Sequence, residues 1–380
     1  MTVLTTYYLE PPAGQAALSF HFGRQGIGME EASETLASDS LFAALVAQAA
    51  LLDPPAPDAP LAFALPFVRD DSAPPFALSS LFPRLGTLIL LPRPALQLRM
   101  ADDLRNKIGK GFKKLRYLSP GLFSAICTDR QINDQPIIMQ QGTVWISLEE
   151  ARQLPPPWQR ASGESDLVWL ARLKDTPIWQ IESQPHVTVD RVSNTSAYFE
   201  VGKVTYTPGA GLALLVAFAD ATARFGFERL LSLLGESGLG GRRSSGSGAF
   251  SWRRDPDLAL DLGWAGRRRV LLSRYLPREA ELDALRSEHA AYQLVNIGGW
   301  LYSTGAPAQR RQRVRMVAEG SVLDAEAITG ALRGKVEDVR PDYRKSKREH
   351  PIFKREQGTS HPVYRSGLAL ALPIPDQEGL

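Results

Sequence analysis

The sequence predicts an α+β protein built from two ferredoxin-like (RRM-like) βαββαβ domains in tandem. Three observations lead to this fold class. Strand patterns rich in β-branched and aromatic residues alternate with amphipathic helical patterns, the same order recurs in both halves, and 380 residues exceed one small core. We place the first domain at residues 1–254, with a large Pro-rich insertion at about 53–185, and the second at 266–380.

In the first half, a predicted strand at residues 2–9 precedes a helix from Ser38 to about Leu52, with Ser38 as its N-cap. After the insertion, strand patterns occur at 186–192 and 198–208, and an entirely apolar one occurs at 211–219. Asp220 is the expected cap of a second helix that ends near Leu234, and a strand at 248–254 completes the order.

The second half repeats this order with weaker patterns. We expect strands at 268–276, 290–303, 311–319 and 363–374, and helices at 277–287 and 324–334. A basic stretch separates the last helix from the last strand.

Composition and charge restrict the function classes. The net charge is only +3, yet residues 99–116 hold seven basic and two acidic residues, and 333–355 hold nine and four. Such local basic patches bind polyanions or form solvated faces. The single cysteine, Cys127, excludes an internal disulfide, and no apolar run is long enough to span a membrane. Without a signal-peptide pattern, we expect a cytoplasmic protein.

The segment GLGGRRSSGSGAF, residues 238–250, has five glycines, three serines and two arginines between a helix and a strand. It fails the spacing of a dinucleotide fingerprint, of a nucleoside-triphosphate loop and of a nucleophile elbow. A bare backbone with arginines and hydroxyls beside it suits a sugar–phosphate chain. A flexible helix-to-strand connection is the alternative.

This loop after the second helix of a ferredoxin-like domain resembles the RAMP superfamily of CRISPR proteins. Further phrases, in order, are similar to the fourth subunit of the type III-A (Csm) effector complex: SDSLFAALVAQ, KKLRYLSPGLF, HVTVDRVSNTSAYFEVGKVTY, YQLVNIGGWLYS and HPVYRSGLALAL. They cover essentially the whole chain. One departure is Ala37, where the family often has histidine.

The resemblance implies a subunit that binds the 5′ handle of the guide RNA, docks the large polymerase-like subunit and adjoins related RAMP backbone subunits. It also implies a β-hairpin thumb, residues 186–206, inserted across the guide–target duplex. The implied RNA-binding residues are Gly240, Gly241, Arg242, Arg243, Ser244, Ser245, Gly246 and Gly248 of the loop, Gly23, Arg24 and Ser38 beside it, and Arg191 and Tyr198 of the thumb.

None of the five histidines lies in a compact acid–base phrase. We therefore expect a non-catalytic subunit without cofactor or metal. Two alternatives stay open: a repeat-processing endoribonuclease of the same superfamily, and a purely structural assembly subunit.

Overall fold

The computed structural model describes residues 4–23, 31–55, 60–69, 72–189, 195–255, 266–301, 309–341 and 361–376. Up to residue 175 its elements are β1 (Thr5–Glu10), β2 (Ser19–Phe20), α1 (Ser38–Leu52), α2 (Leu65–Val68), β3 (Phe76–Leu78), β4 (Phe82–Leu85), β5 (Leu88–Ile89), β6 (Leu91–Pro92), α3 (Asp102–Ile108), β7 (Tyr117–Leu118), α4 (Pro120–Cys127), β8 (Ile137–Met139), β9 (Val144–Ile146), α5 (Leu148–Ala151) and α6 (Asp166–Asp175).

The remaining elements follow a long hairpin. They are β10 (Trp179–Val189), β11 (Ser196–Tyr206), β12 (Ala210–Phe218), α7 (Ala221–Ser237), β13 (Ser251–Asp255), β14 (Arg268–Leu271), α8 (Asp283–Arg286), β15 (Leu294–Ile297), β16 (Trp300–Leu301), β17 (Gln309–Arg310), β18 (Val314–Val317), β19 (Val322–Asp324), β20 (Val336–Asp338), β21 (Tyr364–Ser366) and β22 (Ala371–Ile374).

A six-stranded antiparallel sheet forms the centre of the N-terminal half. Its order is β13-β1-β12-β4-β5, and β3 also pairs with β12. Alternate residues of β1 face opposite sides, as a strand requires. Tyr7 and Leu9 pack with the buried faces of α1 and α7, whereas Tyr8 packs in a core with residues of β14 and β22. The central sheet is therefore covered on both faces.

The predicted insertion at 53–185 is wrong in one respect, because β3, β4 and β5 lie inside it and belong to the central sheet. Phe76, Leu78, Phe82 and Leu85 are all buried there. Serines and a proline interrupt this apolar segment, so that its strand periodicity is weak in the sequence. The rest of this segment forms a four-stranded sheet, β6-β7-β9-β8, with short helices around it.

The hairpin of β10 and β11 does not join the central sheet. Its eleven residue pairs run from Trp179–Tyr206 to Val189–Ser196, and its base pairs with β2. Most side chains along it are exposed. The hairpin is therefore an arm whose strands pair with the rest of the fold only at its base.

The C-terminal half departs from the predicted order at its second helix. Only a 3₁₀ turn, Ala325–Ala327, forms in the segment 324–334. The carboxylate of Asp324 accepts the N–H of Glu326, Ile328 is already extended, and Gly330 has a φ of +95°. The predicted helix at 277–287 is reduced to a 3₁₀ turn and the one-turn helix α8.

Candidate nucleic-acid interface

The glycine-rich loop joins α7 to β13 and is fixed at both ends by buried apolar side chains. Helix α7 ends at Ser237, and the N–H of Gly238 still donates to the carbonyl of Leu234 at 2.8 Å. Leu239 and Phe250 are 1% and 4% exposed. Only the middle of the loop is therefore presented to solvent.

Three of the glycines permit close backbone packing. A Cβ at Gly240 would lie 2.7 Å from the carbonyl oxygen of His21, and one at Gly248 would lie 2.4 Å from that of Leu239. Gly241 donates its N–H to the carbonyl of His21 at 2.9 Å. The loop is thereby bonded to the segment that follows β2, so it has a defined shape rather than being a simple flexible connection.

The tip of the loop carries the polar groups. Arg242 has a φ of +58°, and Arg243–Ser245 form a 3₁₀ turn that ends at Gly246. Arg243, Ser244, Ser245 and Gly246 are exposed. A guanidinium and two hydroxyls are thus concentrated within one turn, which suits a phosphate-bearing ligand.

Arg242 is directed to the hairpin. Its guanidinium carbon lies 4.8 Å from the centre of the Phe199 ring, and that ring stacks on His186 at 5.6 Å. His21 also reaches the hairpin, with its Nδ1 2.6 Å from the carbonyl oxygen of Gly202. The structure therefore brings the loop and the hairpin together, and Arg242 supports this junction.

Beyond this junction the hairpin exposes Val187, Val189 and Tyr198. The hydroxyl of Tyr198 donates to the Glu200 carboxylate at 2.9 Å, and this bond, together with partial desolvation, raises the pKa of the phenol. Hydrogen bonds from Ser183 and Tyr198 lower the pKa of Glu200. Arg191, the other thumb residue implied by the resemblance, lies outside the described residues.

The predicted neighbours of the loop are placed differently. Gly23 is one of the residues that line a large cleft, and Arg24 lies outside the described residues. Ser38 is only 4% exposed; its hydroxyl accepts the N–H of Arg274, and its own N–H donates to Ser80. Ala37, not Ser38, is the N-cap of α1. Contacts between the two halves therefore bury Ser38, which is not exposed beside the loop, and its assignment as an RNA-binding residue stays a prediction.

A cleft with a volume of about 1700 Å³, which sequence analysis did not anticipate, lies between the two halves. Among the described lining residues, one carboxylate, Glu319, faces seven arginines: Arg93, Arg116, Arg274, Arg310, Arg311, Arg313 and Arg365. Burial, followed by the nearby charge of Arg365, lowers the pKa of Arg311 to about 10. The alternating pattern RQRVRMV was the only local signal, and it indicated no more than an exposed strand.

Other chemistry is sparse within the described residues. They contain no group of three or more His, Cys, Asp or Glu side chains that could hold a metal ion. Cys127 is buried, which raises the pKa of its thiol to about 12. None of the described helices combines the length and apolar character needed to cross a membrane.

Comparison with known sequences supports the predicted resemblance. Residues 265–374 match the family model of the CRISPR Csm4 C-terminal domain. Two curated relatives, the "CRISPR system Cms protein Csm4" of Methanocaldococcus jannaschii and that of Thermococcus onnurineus, are each 24% identical, over 39% and 52% of this chain. The matched regions span 39% and 55% of those relatives' own lengths.

Solved structures share the fold. A chain of the Csm3–Csm4 subcomplex of the type III-A CRISPR-Cas interference complex is 18% identical and superimposes with a TM-score of 0.62, covering 98% of this chain and 100% of that one. A chain of the Csm1–Csm4 cassette in complex with cA4 gives 0.50 at 15% identity, with 99% of each chain covered. The family model and the curated relatives confirm the predicted resemblance to the Csm4 subunit, and the solved structures show that this chain shares their fold.

Proposed function

We propose that this chain is a non-catalytic guide-RNA-binding subunit of a cytoplasmic type III-A interference complex. In this proposal the glycine-rich loop holds the 5′ handle of the guide, and the hairpin is the thumb that meets the guide–target duplex. The large polymerase-like subunit and neighbouring RAMP subunits are the protein partners. The observation that carries the proposal is the exposed turn of Arg243, Ser244 and Ser245 on a glycine scaffold bonded to the base of the arm.

We extend the proposal to the fold type. In the N-terminal half, β1 lies between β12 and β13, and β4 lies on the other side of β12. This strand order, with α1 and α7 as the two helices, supports a ferredoxin-like domain. In the C-terminal half, β14 lies between β19 and β22 in the same way, without the second helix. We propose two such domains in tandem.

The chemistry of the loop favours binding that does not depend on base sequence. Guanidinium, hydroxyl and backbone N–H donors contact phosphates and fix the register of a nucleic acid without distinguishing bases. Each arginine that neutralises a phosphate displaces counterions, so that affinity falls as salt rises.

Replacing Arg243 with alanine tests this role. We expect weaker binding of guides of every sequence, and a plot of log affinity against log salt whose slope is shallower by about one. The measurement is fluorescence anisotropy of labelled guide RNA across a salt series. Arg286→Ala is the matched control, because Arg286 is exposed, paired with Asp283 and not part of the cleft.

An unchanged slope in Arg243→Ala would exclude the loop from the RNA path. Guide cleavage that is lost on substituting one histidine would favour the endoribonuclease instead. Tagging the chain in its host and sequencing the RNA that co-purifies tests the wider proposal. Short RNAs with one common repeat-derived 5′ end are expected, and RNA with random ends would contradict it.

A further inference from the structure

The cleft between the two halves has more positive charge than its own carboxylates balance. Arg365 is paired with the buried carboxylate of Asp39, and Arg116 lies 2.7 Å from Glu34. Arg274 lies 3.7 Å from Asp39 and 3.6 Å from Glu319. Within the described part of the chain, neither Arg311 nor Arg313 forms an ion pair. Arg311 is near the charge of Asp39, but Asp39 is already paired with Arg365 and lies close to Arg274, so the cleft keeps an excess of positive charge that is available to an anion.

Arg311 is the most strongly constrained of these side chains. Its Nε is buried and has no hydrogen-bond partner among the residues that the structure describes. Leaving a buried charged donor unsatisfied is costly. Burial is the main cause of the lowered pKa of Arg311, and repulsion from the nearby guanidinium of Arg365 is the second. A phosphate beside both groups would supply the missing acceptor and relieve the repulsion.

An aromatic platform lies in the same cleft. Trp300 on β16 is directly opposite Arg310 on β17, and the guanidinium carbon of Arg310 lies 4.9 Å from the centre of the indole ring. Trp300 is nevertheless 59% exposed. Every nucleobase, whatever its identity, has a face that stacks on such a ring.

The cleft is continuous with the glycine-rich loop. His21, Phe22 and Gly23 line the cleft, and His21 is also bonded to Gly241 of the loop. A strand that leaves the loop can therefore enter the cleft without crossing an intervening element. The volume of about 1700 Å³ exceeds the usual 300–1,000 Å³ of a small-ligand pocket, which favours a polymer segment.

We propose that this cleft is a second binding site for single-stranded RNA, in which one unpaired base stacks on Trp300 while Arg311 and Arg313 bind the adjoining phosphates. The inference rests on the proposed function, since the RNA is the guide held by the loop. In this proposal the C-terminal half stacks an unpaired base of the RNA, and the loop positions the RNA backbone without regard to its sequence.

Photocrosslinking locates the two contacts separately. Guides that each carry one 4-thiouridine are bound to the full chain, irradiated and digested, and the crosslinked peptides are identified by mass spectrometry. We expect one guide position to crosslink to the peptide containing Trp300, and a neighbouring position to crosslink near Arg243. Crosslinks confined to the loop and the hairpin would overturn the cleft site and leave the proposed function intact. No RNA binding at all would overturn both.

Substitution of Trp300 tests stacking itself. We expect Trp300→Ala to weaken guide binding about tenfold and to abolish the crosslink at that position, whereas Trp300→Phe retains most of both. Arg311→Gln should reduce the salt slope by about one. Unchanged RNA affinity in Trp300→Ala and Arg311→Gln would overturn the proposal, and loss of a co-purifying protein subunit from these variants would assign the cleft to an acidic protein partner instead.

Discussion

Asp324 shows how one side chain stabilises the C-terminal half. The carboxylate is fully buried at the end of β19 and accepts two hydrogen bonds from Arg267, at 2.7 and 3.1 Å, and one from Ser287 at 2.6 Å. Burial by itself would raise its pKa, but these bonds and the N–H of Glu326 outweigh burial and lower the pKa to about 2. The ionised form is therefore favoured by folding.

This gives a prediction for pH dependence. Because the folded pKa is below the unfolded value of about 3.9, the stabilisation is fully present above pH 4 and is lost as the pH falls towards 2. We expect Asp324→Asn to lower the free energy of unfolding at pH 7, and the difference from the parent to shrink at pH 3. Urea denaturation of the parent and of Asp324→Asn at both pH values measures this difference in the free energy of unfolding.

Asp283→Asn is the control, because Asp283 forms an exposed pair with Arg286 and should change stability little at either pH. An equal loss for Asp324→Asn at pH 7 and pH 3 would show that the ionised carboxylate is not the stabilising species.

A helix N-cap could be predicted from the sequence where its side chain bonds to a backbone N–H of the same helix. The carboxylate of Asp220 accepts the N–H of Ala223 at 2.8 Å, as the sequence of α7 predicts. The same reasoning assigned Ser38 as a cap, but its hydroxyl bonds to Arg274, 236 residues away. A local pattern contains no information about such a distant partner.

At the scale of elements, the glycine-rich loop depends on its close contacts. Gly246 and Gly248 both have left-handed φ values, +80° and +93°, but a Cβ at Gly246 would meet no atom within 4 Å. The two positions therefore differ in available space rather than in backbone strain.

We expect Gly246→Ala to cost about 1 kcal/mol of stability from strain alone. Gly248→Ala should cost more, because its Cβ would overlap the Leu239 carbonyl, and it should also weaken guide binding by displacing the turn. Thermal denaturation measures the loss of stability, and fluorescence anisotropy of labelled guide RNA measures the loss of binding. Equal losses of stability for the two variants would mean that the loop has room to move and is not held by these contacts.

Long, strongly patterned elements were predictable from the sequence. Helices α1 and α7, strand β12 and the hairpin lie close to their predicted positions. The helix expected at 324–334 does not form, because Asp324 is committed to Arg267 and Gly330 favours a turn. Strands β3 and β4 were missed because they are short and their apolar residues are interrupted.

On the scale of the whole molecule, the two halves form shared cores. Tyr8 and Ala213 of the central sheet pack with Val270 and Leu372 of the C-terminal sheet, and Tyr364 and Leu368 join the core around α1. We therefore expect one cooperative unfolding transition for both halves. The cleft could not be predicted, because its arginines come from distant segments that meet only in the fold.

The buried pair of Asp39 and Arg365 tests this coupling. Arg365→Gln leaves the Asp39 carboxylate without its main partner and should cost about 3–5 kcal/mol. Asp39→Asn combined with Arg365→Gln should cost less than the sum of the single changes. Urea unfolding followed by circular dichroism and tryptophan fluorescence measures both. Additive losses, or transitions that separate in the parent chain, would contradict the coupling.

The same pair has a consequence for biosynthesis. Asp39 and Arg365 are 326 residues apart, so a ribosome produces the acidic member long before the basic one. Until Arg365 is made, the Asp39 carboxylate of α1 lacks its main partner, and β14, once synthesised, lacks its neighbour β22. The core that the two halves share therefore cannot close until β22 has left the ribosome, and a chain that ends before β22 leaves this core open.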